Sequence, residues 1–183
     1  MIRGVTESAH DWPRILTARL LLRRFEERDL SALLAYRNDS RVEPWQGWGL
    51  HDEERGAKLL ASFISRGFGV PGETRSAQVA FELRETGLLI GDSMLRIDAD
   101  DPTRAVIGYT IAPGHQRRGL AREGVSALLA YAVPKLGLRR VEAFTLPDNV
   151  ASIALLRSLG FEDAPGAPPD EVGFGLDVSS WKA

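Results

Sequence analysis

Apolar positions along this chain follow two periods, about two residues in some stretches and about 3.6 in others, and each period marks its own kind of element. Six stretches have the short period or a continuous β-branched and aromatic run: 18–25, 77–84, 88–97, 104–111, 140–145 and one within 171–178. These are expected strands. Four stretches have the long period and are expected helices: one carrying Leu30, Leu33, Leu34 and Tyr36, then 52–65, about 120–136, and 150–159. Asp29, Asp52 and Asn149 precede three of them, each with a side-chain oxygen able to cap a helix start. Gly160 stops the last helix, and Pro134 bends or ends the third.

The punctuation between elements agrees with this division. Glu85-Thr86-Gly87 joins two strands as a hairpin, and Asp98–Thr103 makes the next turn. The loop 38–50 is rich in aromatic residues, 66–75 holds three glycines and a proline, and 164–170 is a turn-rich linker. Residues 1–14 read as an extension, because His10-Asp11-Trp12-Pro13 is turn chemistry with no periodic run before it. No internal repeat or second domain is visible, so 15–183 is expected to be one domain.

Composition removes several kinds of chemistry. A net charge of −2 gives no general attraction to nucleic acid or anionic lipid, so neither partner is expected. With no cysteine there is no disulfide, thiolate nucleophile or cysteine-based zinc site. His10, His51 and His115 are scattered, and no metal is expected. No apolar run approaches the ~20 residues of a membrane span, and Met1-Ile2-Arg3-Gly4-Val5-Thr6-Glu7 lacks an apolar signal core. The expected location is the cytoplasm.

The candidate chemistry lies where the strand 104–111 runs into Gln116-Arg117-Arg118-Gly119-Leu120-Ala121 and then a helix. Such a turn points successive backbone N–H groups at one spot, and the helix dipole adds to their attraction for an anion. Gly119 lets the anion approach, Ala121 leaves room, and Arg117, Arg118 and Arg122 supply charge suited to a diphosphate. The dinucleotide glycine fingerprint and the Gly-Lys-Ser/Thr nucleotide loop are both absent.

The form Gln-x-x-Gly-x-Ala resembles the acyl-CoA diphosphate loop of the GNAT N-acetyltransferases. A second segment, 139–161, resembles the closing motif of that superfamily through Asn149, Ser152, Leu155, Leu159 and Gly160-Phe161. A third, 16–34, resembles the opening of the branch that includes the ribosomal-protein N-terminal acetyltransferases, with Arg19, Leu20, Leu22 and Arg23 on its strand. The resemblance implies an α/β (α+β) fold: a single domain with a mixed, mostly antiparallel sheet, flanking helices, and strands that splay at the acyl-CoA site. It also implies acetyl transfer from acetyl-CoA to a primary amine, on a protein N-terminus or a small molecule. A non-catalytic CoA-binding regulator and an acyltransferase for larger acyl groups stay open, as does a homodimer.

Residue roles follow from the same resemblance. Backbone groups of Tyr109, Thr110 and Ile111 would bind the pantetheine arm, with the turn 116–122 and Asn149 completing the cofactor site. Ser152 would hydrogen-bond the departing sulfur, because Leu156 stands where many relatives carry a tyrosine. Val106 stands where relatives carry a glutamate base. Asp92, expected to face the cleft, and Glu142 remain as base candidates, alongside catalysis by positioning alone. Trp45, Trp48 and Tyr109 are candidates for the acceptor wall, although the tryptophans could equally cover the core. His115 reads as a packing residue of the loop.

Overall fold

The structure, a computed structural model, describes residue 12 and residues 14–68 and 76–181. Most of the 1–14 extension, His10 included, and the 69–75 part of the expected loop lie outside the described residues. Eight strands form one sheet: β1 (Ile15–Leu16), β2 (Leu20–Arg23), β3 (Ser76–Leu83), β4 (Leu89–Ile97), β5 (Arg104–Ile111), β6 (Arg140–Thr145), β7 (Glu162–Ala164) and β8 (Val172–Asp177). Their order is β1-β2-β3-β4-β5-β6-β8-β7. Every neighbouring pair is antiparallel except β5 with β6. That parallel pair needs a crossover, which a helix supplies.

The helices are α1 (Leu30–Arg37), α2 (Glu53–Ser65), α3 (Leu120–Leu136) and α4 (Val150–Ser158), of which α3 is the crossover. Strand alternation divides the core. Val79 and Phe81 of β3 join a large cluster with Leu120, Val125, Leu128 and Leu129 of α3 and Leu156 of α4. Ala80, between them, joins a smaller cluster with Leu33 and Tyr36 of α1 and Leu60 and Phe63 of α2. The helices α1 and α2 therefore cover the opposite face from α3. Gly124 allows α3 to sit close, since a Cβ there would lie 2.6 Å from the Phe81 ring.

Several expectations need correction. The strands β1 and β7 are too short to show a period, and both exist because a neighbouring strand pairs with them. The first expected strand, 18–25, is trimmed to Leu20–Arg23, because Thr17–Leu20 forms a turn closed by Thr17 N donating to Leu20 O. Asp29 stands at the start of α1 but makes no cap bond with its side chain. Its carboxylate instead takes two bonds from the buried Arg23 guanidinium, at 2.7 and 2.8 Å, and one from Glu26 N at 2.8 Å, closing the capping box of the short 3-10 turn Glu27–Asp29 that leads into α1. Asp52 does cap α2, accepting from Arg55 N at 2.8 Å. Pro134 lies inside α3, which continues to Leu136 and stops at the left-handed Gly137.

Candidate active site

The ladder between β5 and β6 covers only Arg104–Val106 against Arg140–Glu142, whereas β5 stays paired with β4 as far as Ile111. Beyond Val106 the two strands part. The gap is a cleft of about 540 Å³, lined on one side by Ile107–Ile111 and on the other by Ala143–Thr145. That volume lies within the roughly 300–1,000 Å³ of small-molecule sites. Ala112 N donates to Ile90 O on the β4 side. By alternation the odd residues turn their backbone groups the other way. Accordingly, Tyr109 O accepts from Gln46 Nε2 at 3.4 Å and Ile111 O from Gln116 Nε2 at 2.9 Å.

At the mouth, Gln116, Arg117, Gly119, Leu120, Ala121 and Arg122 all line the cleft, while Arg118 does not. Two residues of this turn are left-handed, Arg117 at φ 58° and Gly119 at φ 75°. Gly119 immediately precedes α3, so the first N–H groups of a 17-residue helix open at this point. Among the described residues no carboxylate pairs with Arg117 or Arg122. The side chain of Arg118 turns toward His115, whose imidazole is held below its ordinary pKa by burial and by that neighbouring charge. This donor set, backbone amides plus two uncommitted guanidiniums, fits a diphosphate.

On the α4 side, Asn149 caps the helix by accepting from Ser152 N at 3.2 Å. The cap turns Ser152 into the cleft, where Tyr109 of β5 meets it. The phenol lies 2.9 Å from Ser152 Oγ and 3.2 Å from Ser152 O, and its single proton can go to either oxygen. Burial pushes this phenol up to about 12, and the Ser152 hydrogen bond only partly opposes it. Tyr109 is therefore neutral at any ordinary pH. Leu156 is buried and lines the same wall.

The structure places the two base candidates elsewhere. Asp92 is 2% exposed, lines no part of the cleft, and faces the α1 side of the sheet. Its carboxylate accepts from Tyr36 Oη, from Gln78 Nε2 at 2.6 Å and from Arg37 Nη2 at 3.4 Å. The expectation that it faces the cleft is thus corrected: its neighbour across β5, Thr110, reaches the cleft edge, but Asp92 is enclosed under α1. Glu142 also lies outside, accepting from Arg104 Nη2 at 2.8 Å and Arg140 Nε at 3.0 Å.

The tryptophans divide as well. Trp45, 42% exposed, lines the cleft. Trp48 does not; the Arg37 guanidinium stacks 3.8 Å from its ring centroid and its indole N–H donates to Arg37 O at 3.2 Å. Sequence reasoning missed Arg41, Gln46 and Asp148, which also line the cleft. Nothing periodic marks them, since all three sit in loops.

Among the described residues no group of His, Asp and Glu is placed to hold a metal, and no helix is long and apolar enough to cross a membrane. A family model described as an acetyltransferase (GNAT) domain matches residues 19–162. YoaA of Bacillus subtilis (strain 168), described as an uncharacterized N-acetyltransferase, is 32% identical over 152 residues, 82% of this chain and 84% of that protein. The solved structure of RimL, a ribosomal L7/L12 alpha-N-protein acetyltransferase, has TM-score 0.74 at 19% identity and covers 97% of this chain and 99% of its own. That of MccE, a microcin C7 self-immunity acetyltransferase in complex with acetyl-CoA and AMP, has TM-score 0.74 at 13% identity, covering 93% and 99%. At these identities the two structures show a shared fold.

Proposed function

Because this chain belongs to the GNAT acetyltransferases, we propose that its cleft binds acetyl-CoA and passes the acetyl group directly to a primary amine, on a protein N-terminus or a small molecule. The observation that carries this reading is the parting of β5 from β6 after Val106. It leaves the N–H groups of Tyr109 and Ile111 without a strand partner on the cleft side among the described residues, with the basic turn and the Tyr109–Ser152 hydroxyl pair lining the same cleft.

Acyl transfer forms a C–N bond and breaks the C–S bond, so the nitrogen loses a proton and the sulfur gains one. Backbone N–H groups on the open edge polarise the thioester carbonyl, a contribution of about 3–4 kcal/mol for one well-placed donor. Ser152 hydrogen-bonds the sulfur as charge collects on it. We read Tyr109 as a positioning group rather than the proton source, because burial raises its phenol to about 12 and a thiol near about 8.5 is the stronger acid. The phenol instead donates to Ser152 Oγ, which leaves the serine proton for the sulfur, and the proton that the sulfur finally gains comes from the amine. Asp92 and Glu142 lie outside the cleft and Asp148 is the carboxylate that lines it; we assign the rate to positioning of a partly deprotonated amine rather than to a tuned base.

A panel of amines and N-terminal peptides, assayed for CoA release from acetyl-CoA and from longer acyl-CoA thioesters, tests this. Turnover is expected with acetyl-CoA on at least one class of primary amine. Tight CoA binding without turnover across a broad panel, or turnover only with longer thioesters, would overturn it.

A further inference from the structure

Glu123 stands in the first turn of α3, directly behind the turn read above as the diphosphate site. A carboxylate there favours the helix dipole but would repel a bound diphosphate. Its two oxygens are fully engaged. Oε1 accepts from Thr17 Oγ1 at 2.6 Å and Arg19 N at 2.8 Å, and Oε2 accepts from Arg19 Nε at 2.7 Å. Arg19 Nη2 lies 2.6 Å from Oε2. Burial would raise the carboxyl pKa, but the bonds from Thr17 and Arg19 outweigh it and hold the group below the ordinary range.

The same guanidinium reaches the turn itself. Arg19 Nη1 donates to Arg118 O at 2.8 Å, and Nη2 would lie 3.6 Å from a Cβ built on Gly119. The Arg118 carbonyl sits between the two left-handed residues, Arg117 and Gly119. Arg117 is not glycine, and a left-handed residue of that kind persists only where its surroundings hold it.

From this geometry we propose that Arg19 and Glu123 form a positioning clamp, spanning the β1–β2 turn and the first turn of α3, that holds the diphosphate-binding turn in its binding shape. The clamp rests on the diphosphate reading of that turn. Its consequence runs against simple electrostatics. If Glu123 acted only as a charge, removing that charge would tighten anion binding; as part of a clamp, its loss loosens the turn and weakens binding.

The test uses the full chain with Glu123→Gln, Arg19→Ala and Arg19→Lys. Calorimetry measures CoA and inorganic pyrophosphate, and turnover is followed with S-acetylpantetheine, which lacks the diphosphate. Glu123→Gln and Arg19→Ala should each weaken CoA and pyrophosphate about tenfold, roughly 1.4 kcal/mol. Arg19→Lys should recover part of the loss. Turnover with S-acetylpantetheine should stay within about twofold of the parent, which also shows that the variants fold. CoA binding in Glu123→Gln equal to or tighter than the parent's overturns the clamp, as does an equal loss with S-acetylpantetheine. A parent that binds neither CoA nor pyrophosphate overturns the diphosphate reading, and the clamp with it.

Discussion

If Tyr109 acts on the reaction only by aiming Ser152, then Tyr109→Phe should matter in the parent and not in a Ser152→Ala background. The phenyl ring keeps the packing of Tyr109 and loses the oxygen that lies 2.9 Å from Ser152 Oγ and 3.2 Å from Ser152 O. One neutral hydrogen bond is worth about 1 kcal/mol of stability, so the melting temperature should fall by a few degrees. Ser152→Ala is milder for folding, because the phenol still donates to the main-chain carbonyl of position 152. For turnover the order reverses. A hydrogen bond to a developing thiolate is worth about 1.5–3 kcal/mol, so Ser152→Ala should lower kcat about 10- to 100-fold with the KM for acetyl-CoA within a few-fold. Tyr109→Phe should lower kcat about tenfold by freeing the serine rotor. The double variant should be no slower than Ser152→Ala, a coupling of about 1.4 kcal/mol in the kinetic cycle. Steady-state kinetics on the four proteins, with an acceptor found in the amine panel, measures it. Independent effects that multiply in the double variant would refute the shared role, and an unchanged kcat in Ser152→Ala would return that residue to an ordinary place in α4.

Three further outcomes follow from the same geometry. Gly119→Val forces a branched residue to φ 75°, a cost of about 1–2 kcal/mol, and should abolish CoA binding without unfolding the chain; unchanged affinity by calorimetry would count against the turn. Asp92→Asn leaves Arg37 buried without its counter-charge and should cost about 3 kcal/mol of stability while kcat per folded molecule changes little; a stable variant with lost turnover would restore Asp92 to the chemistry. The folded phenol of Tyr109 titrates near 12 against about 10 in an unfolded chain, and burial moves Tyr36 the same way. Their contribution is complete below about pH 10 and is lost as pH rises toward 12, so denaturation should show about 1 kcal/mol less stability for each phenol at about pH 11 than at about pH 9. A flat profile would mean that neither phenol is held neutral.

The local features of this protein are written in its sequence. The 104–111 strand, the 120–136 and 140–145 elements, the Asn149 cap and the Gly160 stop each depend on residues within a turn or two of one another, and each is observed at or within a residue of its expected place. The basic turn was equally legible, because a strand, eight connecting residues and a helix start follow one another in the chain. What the sequence could not decide is which polar side chains face a partner and which face the cleft. Asp92 and Trp48 look like site residues in a list, yet the packing of α1 on β4 encloses the first and the stacking of Arg37 holds the second. Tyr109 and Ser152 are 43 residues apart, and Arg19 and Glu123 are 104 apart. Their meeting is fixed by the order of strands in the sheet and by the crossover of α3. Propensity and periodicity act over a few residues, whereas the burial and hydrogen bonding of a charged side chain depend on elements brought together from anywhere in the chain, and only the assembled sheet determines those neighbours.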